Sequence, residues 1–355
     1  MDGVALVYCE GAFNTTNGKT AHGLVRFTNR YKVAGVIDSR YSGQDAGLVL
    51  DQKINGIPLF SNIAKAMENL TGDFKPTHLV VGLAPDGGRL PESARNDIKQ
   101  AISFGLNVDC GLHDYLTEDN EINKLALSKK VQLRDIRKTP HINDQHFFTG
   151  DIGKVKSLKI ALLGTDSAVG KRTTAWMLVH GLHKAGYTAE MIGTGQTAWM
   201  QGAKYSIILD SVIADFMAGE IEYAVYSAWK NEKPDVIVIE GQGSLMNPAY
   251  PGGYEILAAG RPDLVILQHA PARIEYDGFP GFLIQPINHQ IHALEIVSGK
   301  KVVAITINHE HLNPEEIPLE AQKLKEATGL PAMDVLLDGT DELVNLLKPY
   351  IAVQS

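Results

Sequence analysis

One stretch of the sequence, between positions 160 and 174, constrains the fold more than any other. An apolar run that ends at Gly164 indicates a buried strand, and a second glycine, Gly170, stands before Lys171 at the expected start of a helix. A glycine-punctuated loop between a strand and a helix turns backbone N–H groups toward an anion at the positive end of that helix. The sequence therefore predicts a phosphate-binding loop and an α/β fold built on parallel strands.

This loop is a variant of the common P-loop. Five residues separate its two glycines instead of four, and an arginine follows the lysine where Ser or Thr usually stands. Lys171 supplies a cation for phosphates, and Thr173 or Thr174 supplies a hydroxyl for Mg²⁺ when a magnesium nucleotide is bound. We assign to cofactor binding the whole segment, which we call the phosphate loop: Gly164, Thr165, Asp166, Ser167, Ala168, Val169, Gly170, Lys171, Arg172, Thr173 and Thr174.

Length and composition fit a two-domain enzyme. The chain has 355 residues, of which 44 % are hydrophobic and 21 % are charged. A net charge of −8 argues against nucleic acid as a partner, and no apolar stretch is long enough to span a membrane. The two cysteines lack a metal-ligand spacing and are expected to be unpaired in a reducing compartment. We expect a cytoplasmic protein and, from the prevalence of symmetric assemblies, a homo-oligomer.

Residues 1–135 alternate short apolar runs with amphipathic stretches, which is typical of a Rossmann-like domain with a parallel sheet flanked by helices. No G-x-G-x-x-G follows the first predicted strand, so we expect no nicotinamide or flavin cofactor. Polar residues collect where the predicted strands end, including Arg40. A further loop presents Asp86, Gly87, Gly88 and Arg89 directly before a helix, and it is either a solvated turn or a loop that binds an anion or an amine.

Residues 136–156 lose this periodicity and form the predicted linker, and residues 157–355 form a second, P-loop NTPase-like α/β domain. A β-branched run in this domain predicts a strand buried on both faces, and Glu240 follows at its carboxyl end. An acid at that position can hold Mg²⁺ or act in catalysis, with a helix-capping or salt-bridged glutamate as the alternative.

Two later strands end in further polar groups. His269 follows the first, and Asn308 follows the second, where it can bind a purine edge or form a turn. The last helix is expected to end at Pro349, because proline cannot donate the backbone hydrogen bond that continues a helix.

The residues Gly164–Lys171, with their five-residue gap, resemble the loop of dethiobiotin synthetases, and Glu240-Gly241-Gln242-Gly243 resembles the Glu-Gly-x-Gly strand end of that family. Those enzymes are smaller and contain nothing that corresponds to residues 1–150. The full arrangement, a Rossmann-like half followed by a variant P-loop half, resembles the D-glutamate N-acetyltransferase family, whose characterised type works beside an N-acetyl-D-glutamate racemase. This resemblance covers nearly the whole chain, including Cys110-Gly111-Leu112-His113.

The resemblance implies transfer of an acetyl group from acetyl-CoA to the amine of an acidic amino acid such as D-glutamate. Coenzyme A contains a diphosphate, so the phosphate loop can hold this donor without hydrolysing ATP. The remaining candidates then take roles by their chemistry. Asp86, Glu240 and His269 are candidate bases, Asn308 a cofactor-binding residue, Arg40, Gly87, Gly88 and Arg89 candidate acceptor-binding residues, and the amides near Gly87-Gly88 or Gly241 candidate oxyanion donors.

The sequence is also compatible with two other functions. An ATP-dependent ligase or kinase would bind ATP and Mg²⁺ through Lys171, Thr173 and Glu240 and would activate a substrate carboxylate by phosphoryl transfer. A nucleotide-sensing module without chemistry would leave the Pro-, Gly- and aromatic-rich segment 270–286 without a role.

Overall fold

The computed structural model describes residues 1–354, apart from the side chains of Asp86, Val353 and Gln354. The chain forms two compact units. The N-terminal unit comprises Met1–Thr139 together with Gln196–Ala203, and the C-terminal unit comprises Pro140–Gly195 and the residues from Lys204 onward. The predicted linker at 136–156 is thus divided between the two units.

The N-terminal unit is an α/β domain with one sheet. Its strands are β1 (Gly3–Tyr8), β2 (Tyr31–Ile37), β3 (Leu59–Phe60), β4 (His78–Val81), β5 (Asn107–Cys110) and β6 (Leu133–Asp135), and its first helices are α1 (Lys19–Arg26), α2 (Ala46–Asp51), α3 (Ile63–Asn69), α4 (Glu92–Ser103) and α5 (Asn120–Lys129). The strands are all parallel and lie in the order β3-β2-β1-β4-β5-β6. This is the strand order of a Rossmann fold, with the order reversing between β1 and β4, so the prediction for this half is confirmed.

The C-terminal unit has a second parallel sheet. Its strands are β7 (Leu158–Gly164), β8 (Ala189–Gly193), β9 (Tyr205–Ser206), β10 (Val236–Glu240), β11 (Leu264–His269), β12 (Val302–Ile307) and β13 (Ala332–Met333). Its helices are α6 (Lys171–Lys184) and, after α7 (Gln196–Gln201) of the N-terminal unit, α8 (Ala214–Glu232), α9 (Tyr254–Gly260), α10 (Ile287–Ser298), α11 (Glu316–Thr328), α12 (Val335–Asp338) and α13 (Asp341–Gln354). The strand order is β13-β12-β11-β7-β10-β8-β9. The central strands β7 and β10 are buried along their whole length, as expected for a sheet covered on both faces.

Helix α7 is an integral part of the N-terminal unit although its flanking residues belong to the other one. Met200 is fully buried in the core of the N-terminal unit. The side-chain amide of Gln201 donates to the carbonyl oxygens of Gly23 and Phe27 at 2.8 and 2.9 Å, at the end of α1. The Gly23 carbonyl also accepts the Phe27 amide at 2.9 Å, and the Phe27 carbonyl lies just past the helix end, so the Gln201 amide fixes α7 against the last turn of α1.

The last helix, α13, does not end at Pro349 as the sequence predicts, because it continues to Gln354. Leu343, Leu347 and Ile351 are buried at intervals of four residues, so packing of one helix face holds the helix on both sides of the proline. The carbonyl of residue 345, which loses its partner to the proline, belongs to an exposed residue and can be hydrated. Among the described residues, the structure contains no helix with the length and apolar character needed to cross a membrane.

Candidate functional site

The phosphate loop leaves β7 at Gly164 and enters α6 at Lys171. A Cβ on Gly164 would lie 2.9 Å from Cδ of Lys171, so a larger residue would displace the lysine side chain. Ala168 and Gly170 have left-handed backbone angles, with φ of 54° and 102°. Such turns direct N–H groups into one concavity, and the first turn of α6 contains no acidic residue to oppose an anion there.

The Lys171 side chain is buried and lies across this loop. Its ammonium group donates to the carbonyl oxygens of Asp166 and Gly243, at 2.6 and 2.8 Å. Gly243 has a φ of 44°, and a Cβ at this position would lie 2.0 Å from the carbonyl oxygen of Tyr250. Only glycine fits there, so the contact between the lysine and this carbonyl depends on a second glycine-rich segment that follows β10.

Asp166 is fully buried within the phosphate loop, where an unpaired carboxylate would repel phosphate. Its Oδ2 accepts hydrogen bonds from the Arg273 guanidinium and the Asp277 amide, both at 2.8 Å. Its Oδ1 accepts from the side-chain amide of Asn247 at 2.8 Å. Arg273 also pairs with Glu310 at 2.6 Å, so this arginine and the two amide donors together offset part of the charge of Asp166. The aspartate connects the loop to the segment 270–286.

Glu240 lies at the carboxyl end of β10, which pairs with β7. Its Oε2 accepts a hydrogen bond from the Thr194 amide at 2.8 Å, and its carbonyl oxygen accepts one from the Thr194 hydroxyl at 3.0 Å. Burial raises the pKa of the Glu240 carboxyl, and Arg172, Thr194 and Lys171 offset part of this effect. A carboxylate with a raised pKa is a stronger base than an ordinary glutamate.

His269, at the end of β11, is held in the neutral form. Its Nδ1 forms a hydrogen bond with the Thr165 hydroxyl at 3.0 Å. Burial lowers the pKa of His269 to about 4, so near neutral pH the imidazole can accept a proton only weakly. Of these two candidate bases, Glu240 is better suited to the role.

The remaining residues of the phosphate loop differ in their exposure. The Thr174 hydroxyl is buried and donates to Oε1 of Gln268 at 2.6 Å, so it faces the protein interior. Ser167, Arg172 and Thr173 are half-buried. Among the described residues, no group of three or more His, Cys, Asp or Glu side chains is arranged to hold a metal ion by itself.

Asn308 follows β12, and its backbone amide donates to the His269 carbonyl at 2.7 Å. The Asn308 Oδ1 accepts a hydrogen bond from the Glu310 amide at 3.0 Å. Because this acceptor atom is already bonded, its Nδ2 donor is the end available to a ligand.

In the N-terminal unit, Arg40 follows β2 and pairs with Asp38. Two guanidinium nitrogens of Arg40 donate to this fully buried carboxylate, at 3.0 and 2.7 Å. Burial by itself would raise the pKa of Asp38, but hydrogen bonds from Arg40 and from the Phe13 amide lower it overall. Arg40 is thus fixed in place by an internal partner.

The loop that contains Arg89 has a similar arrangement. The Arg89 side chain is 76 % exposed and pairs with Asp114 at 2.8 Å. Gly87 and Gly88 have φ angles of 70° and 61°, and the Gly88 amide donates to the carbonyl of Pro85 at 2.9 Å. The side chain of Asp86 lies outside the described residues.

One suggested oxyanion donor is already occupied. The Gly241 amide donates to the carbonyl oxygen of Leu162 at 3.0 Å and is therefore not available to a reaction intermediate. This bond connects β10 to β7 just beyond their last paired residues.

Sequence reasoning missed three contributors to the site: Arg273 as the partner of Asp166, Thr194 as the partner of Glu240, and Gln268. One physical indication was present, because a carboxylate inside a phosphate loop requires a cation nearby. The other two contacts carry no local pattern, since their partners are 46 and 94 residues apart in the chain.

Comparison with known proteins agrees with this architecture. A family model described as "Domain of unknown function (DUF1611_N) Rossmann-like domain" matches residues 39–139, and one described as "Domain of unknown function (DUF1611_C) P-loop domain" matches residues 146–344. The crystal structure of a DUF1611 family protein from Anabaena variabilis superposes with a TM-score of 0.88 at 27 % identity, covering 98 % of this chain and 100 % of that one.

Two curated relatives are similar over most of their length. A D-glutamate N-acetyltransferase from Tritonibacter scottomollicae is 30 % identical over 275 residues, which are 76 % of this chain and 80 % of the relative. A D-glutamate N-acetyltransferase from a Pseudoalteromonas species is 31 % identical over 272 residues, which are 75 % and 79 % of the two chains. The chain is therefore an enzyme that belongs to the D-glutamate N-acetyltransferase family, with the Rossmann-like and P-loop domains of DUF1611.

Proposed function

We propose that this enzyme transfers the acetyl group of acetyl-CoA to the amine of an acidic amino acid such as D-glutamate. The relatives named D-glutamate N-acetyltransferase support the reaction and the acceptor. The observation that carries the proposal is the combination, within one sheet, of a phosphate loop with a partly compensated internal acid and of a buried glutamate with a raised pKa on the neighbouring strand.

The phosphate loop is the site we propose for the diphosphate of acetyl-CoA. Lys171, Arg172 and the amides at the start of α6 supply positive charge. Hydrogen bonds from Arg273, Asn247 and the Asp277 amide offset part of the charge of Asp166. Asn308 Nδ2 is a further hydrogen-bond donor that we assign to the cofactor. None of these interactions requires a metal ion or a scissile phosphate bond.

In the reaction, the amine nitrogen attacks the carbonyl carbon of the thioester. A C–N bond forms, the C–S bond breaks, and the thiolate of coenzyme A leaves and takes up a proton. The attacking amine must lose a proton, and we assign its acceptance to Glu240, because burial raises the pKa of this carboxyl. His269 and Asp86 are the other candidates for this role.

The acceptor's carboxylates require cations, and we assign this role to Arg40 and Arg89, with the backbone at Gly87 and Gly88 completing the loop around Arg89. Both arginines have carboxylate partners in the structure. A bound substrate would therefore share each guanidinium with Asp38 or Asp114 rather than meet an unpaired cation.

The reaction can be tested by release of free thiol. The enzyme is mixed with acetyl-CoA and either D- or L-glutamate, without ATP, and thiol is detected with a chromogenic disulfide. We expect release with an acidic amino acid and none when the amine is omitted. Absence of thiol with every amine tested would refute the acetyltransferase proposal.

One observation favours a second candidate, an ATP-dependent ligase or kinase. Glu240 ends the strand beside β7, the position at which an acid can act on magnesium bound to a nucleotide together with Thr173. Formation of ADP that depends on ATP, Mg²⁺ and a carboxylate substrate, with no thiol release from acetyl-CoA, would establish this alternative instead.

A further inference from the structure

Gln268 is a buried residue near the end of β11 whose side-chain amide is held in one orientation. It is 2 % exposed, and its Oε1 accepts hydrogen bonds from the hydroxyls of Thr174 and Thr306 at 2.6 and 2.7 Å. Both distances are typical of O–H···O bonds and shorter than usual N–H···O bonds. The oxygen of the amide therefore faces the two threonines, and the nitrogen faces the opposite side.

The opposite side is the start of α6. Nε2 of Gln268 lies 3.7 Å from the position that a Cβ would take on Gly170, and Nδ2 of Asn308 lies 3.9 Å from the same position. Within the described part of the chain, Nε2 of Gln268 forms no hydrogen bond. Asn308 presents its nitrogen in the same way, because its Oδ1 accepts from the Glu310 amide.

Two amide donors thus converge on one point beside a glycine with a φ of 102°. The Gln268 side chain is 2 % exposed and its N–H group has no protein partner among the described residues, so this point is suited to an atom that accepts hydrogen bonds. The adjacent helix start and Lys171 make the surroundings favourable for negative charge. A phosphate oxygen satisfies both conditions.

We propose that Gln268 and Asn308 bind an oxygen of the donor's diphosphate beside Gly170, and that Thr174 and Thr306 are positioning residues that orient the Gln268 amide. This inference rests on the proposed function for the identity of the donor. It assigns Gln268 to the phosphates, and the two threonines act through that glutamine without touching the ligand.

The test measures the affinities of inorganic pyrophosphate, coenzyme A and adenosine by titration calorimetry. We expect Gln268→Met to weaken binding of pyrophosphate and coenzyme A by about 10-fold or more, since a hydrogen bond to a charged group is lost. Thr306→Val should weaken both by about 3-fold, because the amide keeps its donor but loses one of the bonds that orient it. Gln290→Met replaces another glutamine that is 2 % exposed in the same unit, and it should leave both affinities unchanged.

A second variant separates ligand binding from a purely structural role. Gln268→Glu retains an acceptor for both threonine hydroxyls but removes the donor and faces the phosphates with a negative charge. It should therefore bind pyrophosphate at least as weakly as Gln268→Met does, with a melting temperature close to that of the wild type. This variant also serves if Gln268→Met does not fold.

Each result bears on the proposal separately from the reaction. Wild-type affinity of Gln268→Glu for pyrophosphate would overturn it, as would a loss confined to adenosine, which would place the amide against the base. Failure of the wild type to bind pyrophosphate would also overturn it. Weaker pyrophosphate binding by the variants, even without thiol release by the wild type, would uphold the phosphate contact and reject only the acetyltransferase function.

Discussion

In both units, loops with charged residues follow the strands of the parallel sheet, but the charged residues have different partners in the two units. In the N-terminal unit, Arg40 and Arg89 each pair with a carboxylate, Asp38 and Asp114. In the phosphate loop the arrangement is reversed: the acid, Asp166, is paired with an internal arginine, and donors converge beside Gly170.

This difference indicates that the loops of the C-terminal unit, rather than those of the N-terminal unit, are arranged to bind an anion. An arginine with a carboxylate partner already has its charge compensated, so a substrate gains less from meeting it. A loop whose only buried acid is partly compensated, and whose neighbours are amide donors, needs little rearrangement to receive phosphate. We therefore expect substitutions in the C-terminal unit to have larger effects than those in the N-terminal unit.

The largest effect is expected from Glu240→Gln, which removes the candidate base and keeps the shape of the side chain. We expect kcat to fall about 1000-fold, within the usual range for loss of a general base, as measured by thiol release. In the wild type, kcat/KM should increase with pH through a value above the ordinary glutamate range, because the raised pKa keeps the carboxyl protonated at lower pH.

The matched control is Glu222→Gln, since Glu222 is also buried but accepts hydrogen bonds from the amides of Thr149 and Ile152. The pH dependence of the unfolding free energy should distinguish a catalytic from a structural role of Glu240. A carboxyl whose pKa is raised on folding makes the unfolding free energy fall as pH rises from its unfolded pKa toward its folded one. Glu240→Gln should remove that fall, and a large drop in its melting temperature would instead assign Glu240 a structural role.

A second prediction concerns His269, which is uncharged near neutral pH and lies at the carboxyl end of β11 in the C-terminal sheet. The pKa of His269 is about 4 in the folded protein, and an unfolded histidine has a pKa of about 6.5. The unfolded state therefore binds more protons, and the unfolding free energy should fall by about 3 kcal/mol as pH decreases from 7 to 4. His269→Gln should lose this contribution in urea unfolding at the two pH values.

The control for this measurement is His289→Gln, which changes an exposed histidine of α10. It should leave the acid sensitivity as in the wild type. If His269→Gln lost as much stability on acidification as the wild type, other groups would be responsible, and His269 would not distinguish this edge from that of the N-terminal unit.

Lys171→Ala tests the charge of the phosphate loop directly. We expect the affinity for coenzyme A to fall about 100-fold, because a charge-assisted contact with phosphate is lost and the loop loses its bond to Gly243. Lys159→Ala is the control, since this lysine is also buried, at the opposite end of β7, and pairs with Asp263. Equal losses of affinity in both variants would indicate a general effect of net charge.

The smallest effects are expected for the arginines of the N-terminal unit. Arg40→Ala and Arg89→Ala should raise the KM for D-glutamate by about 10-fold or less, because each arginine is shared with a carboxylate. Asp114→Asn should lower this KM slightly by releasing Arg89. If either arginine variant raised the KM for D-glutamate by a larger factor than Lys171→Ala lowers the affinity for coenzyme A, the N-terminal unit would contribute more to ligand binding than we expect.

The strands and the phosphate loop could be predicted because local sequence determines them. Continuous β-branched runs such as 236–239 allow few arrangements other than a buried strand, and glycines at 164 and 170 mark the loop. The end of α13 could not be predicted from Pro349 alone, since the burial of Leu343, Leu347 and Ile351 outweighs the loss of one backbone hydrogen bond.

The partners of the site residues depend on tertiary structure. Arg273 and Asp166 are 107 residues apart, and no periodicity connects them. Gln268 is part of an ordinary apolar strand in the sequence, and its importance follows only from the two threonines that face it. The pairing of Arg40 with Asp38 is local, yet a sequence pattern does not reveal whether a guanidinium is already satisfied.

The assignment of α7 to the N-terminal unit limits how such a protein can be divided or inherited. A fragment that ends at residue 139 would lack Met200 in its core and would leave the carbonyls of Gly23 and Phe27 without the Gln201 amide. The part of the gene that encodes residues 1–139 therefore does not encode the whole N-terminal unit. Recombination near residue 140 would therefore separate the N-terminal unit from one of its own helices, so an intact N-terminal unit requires both parts of the gene to be inherited together.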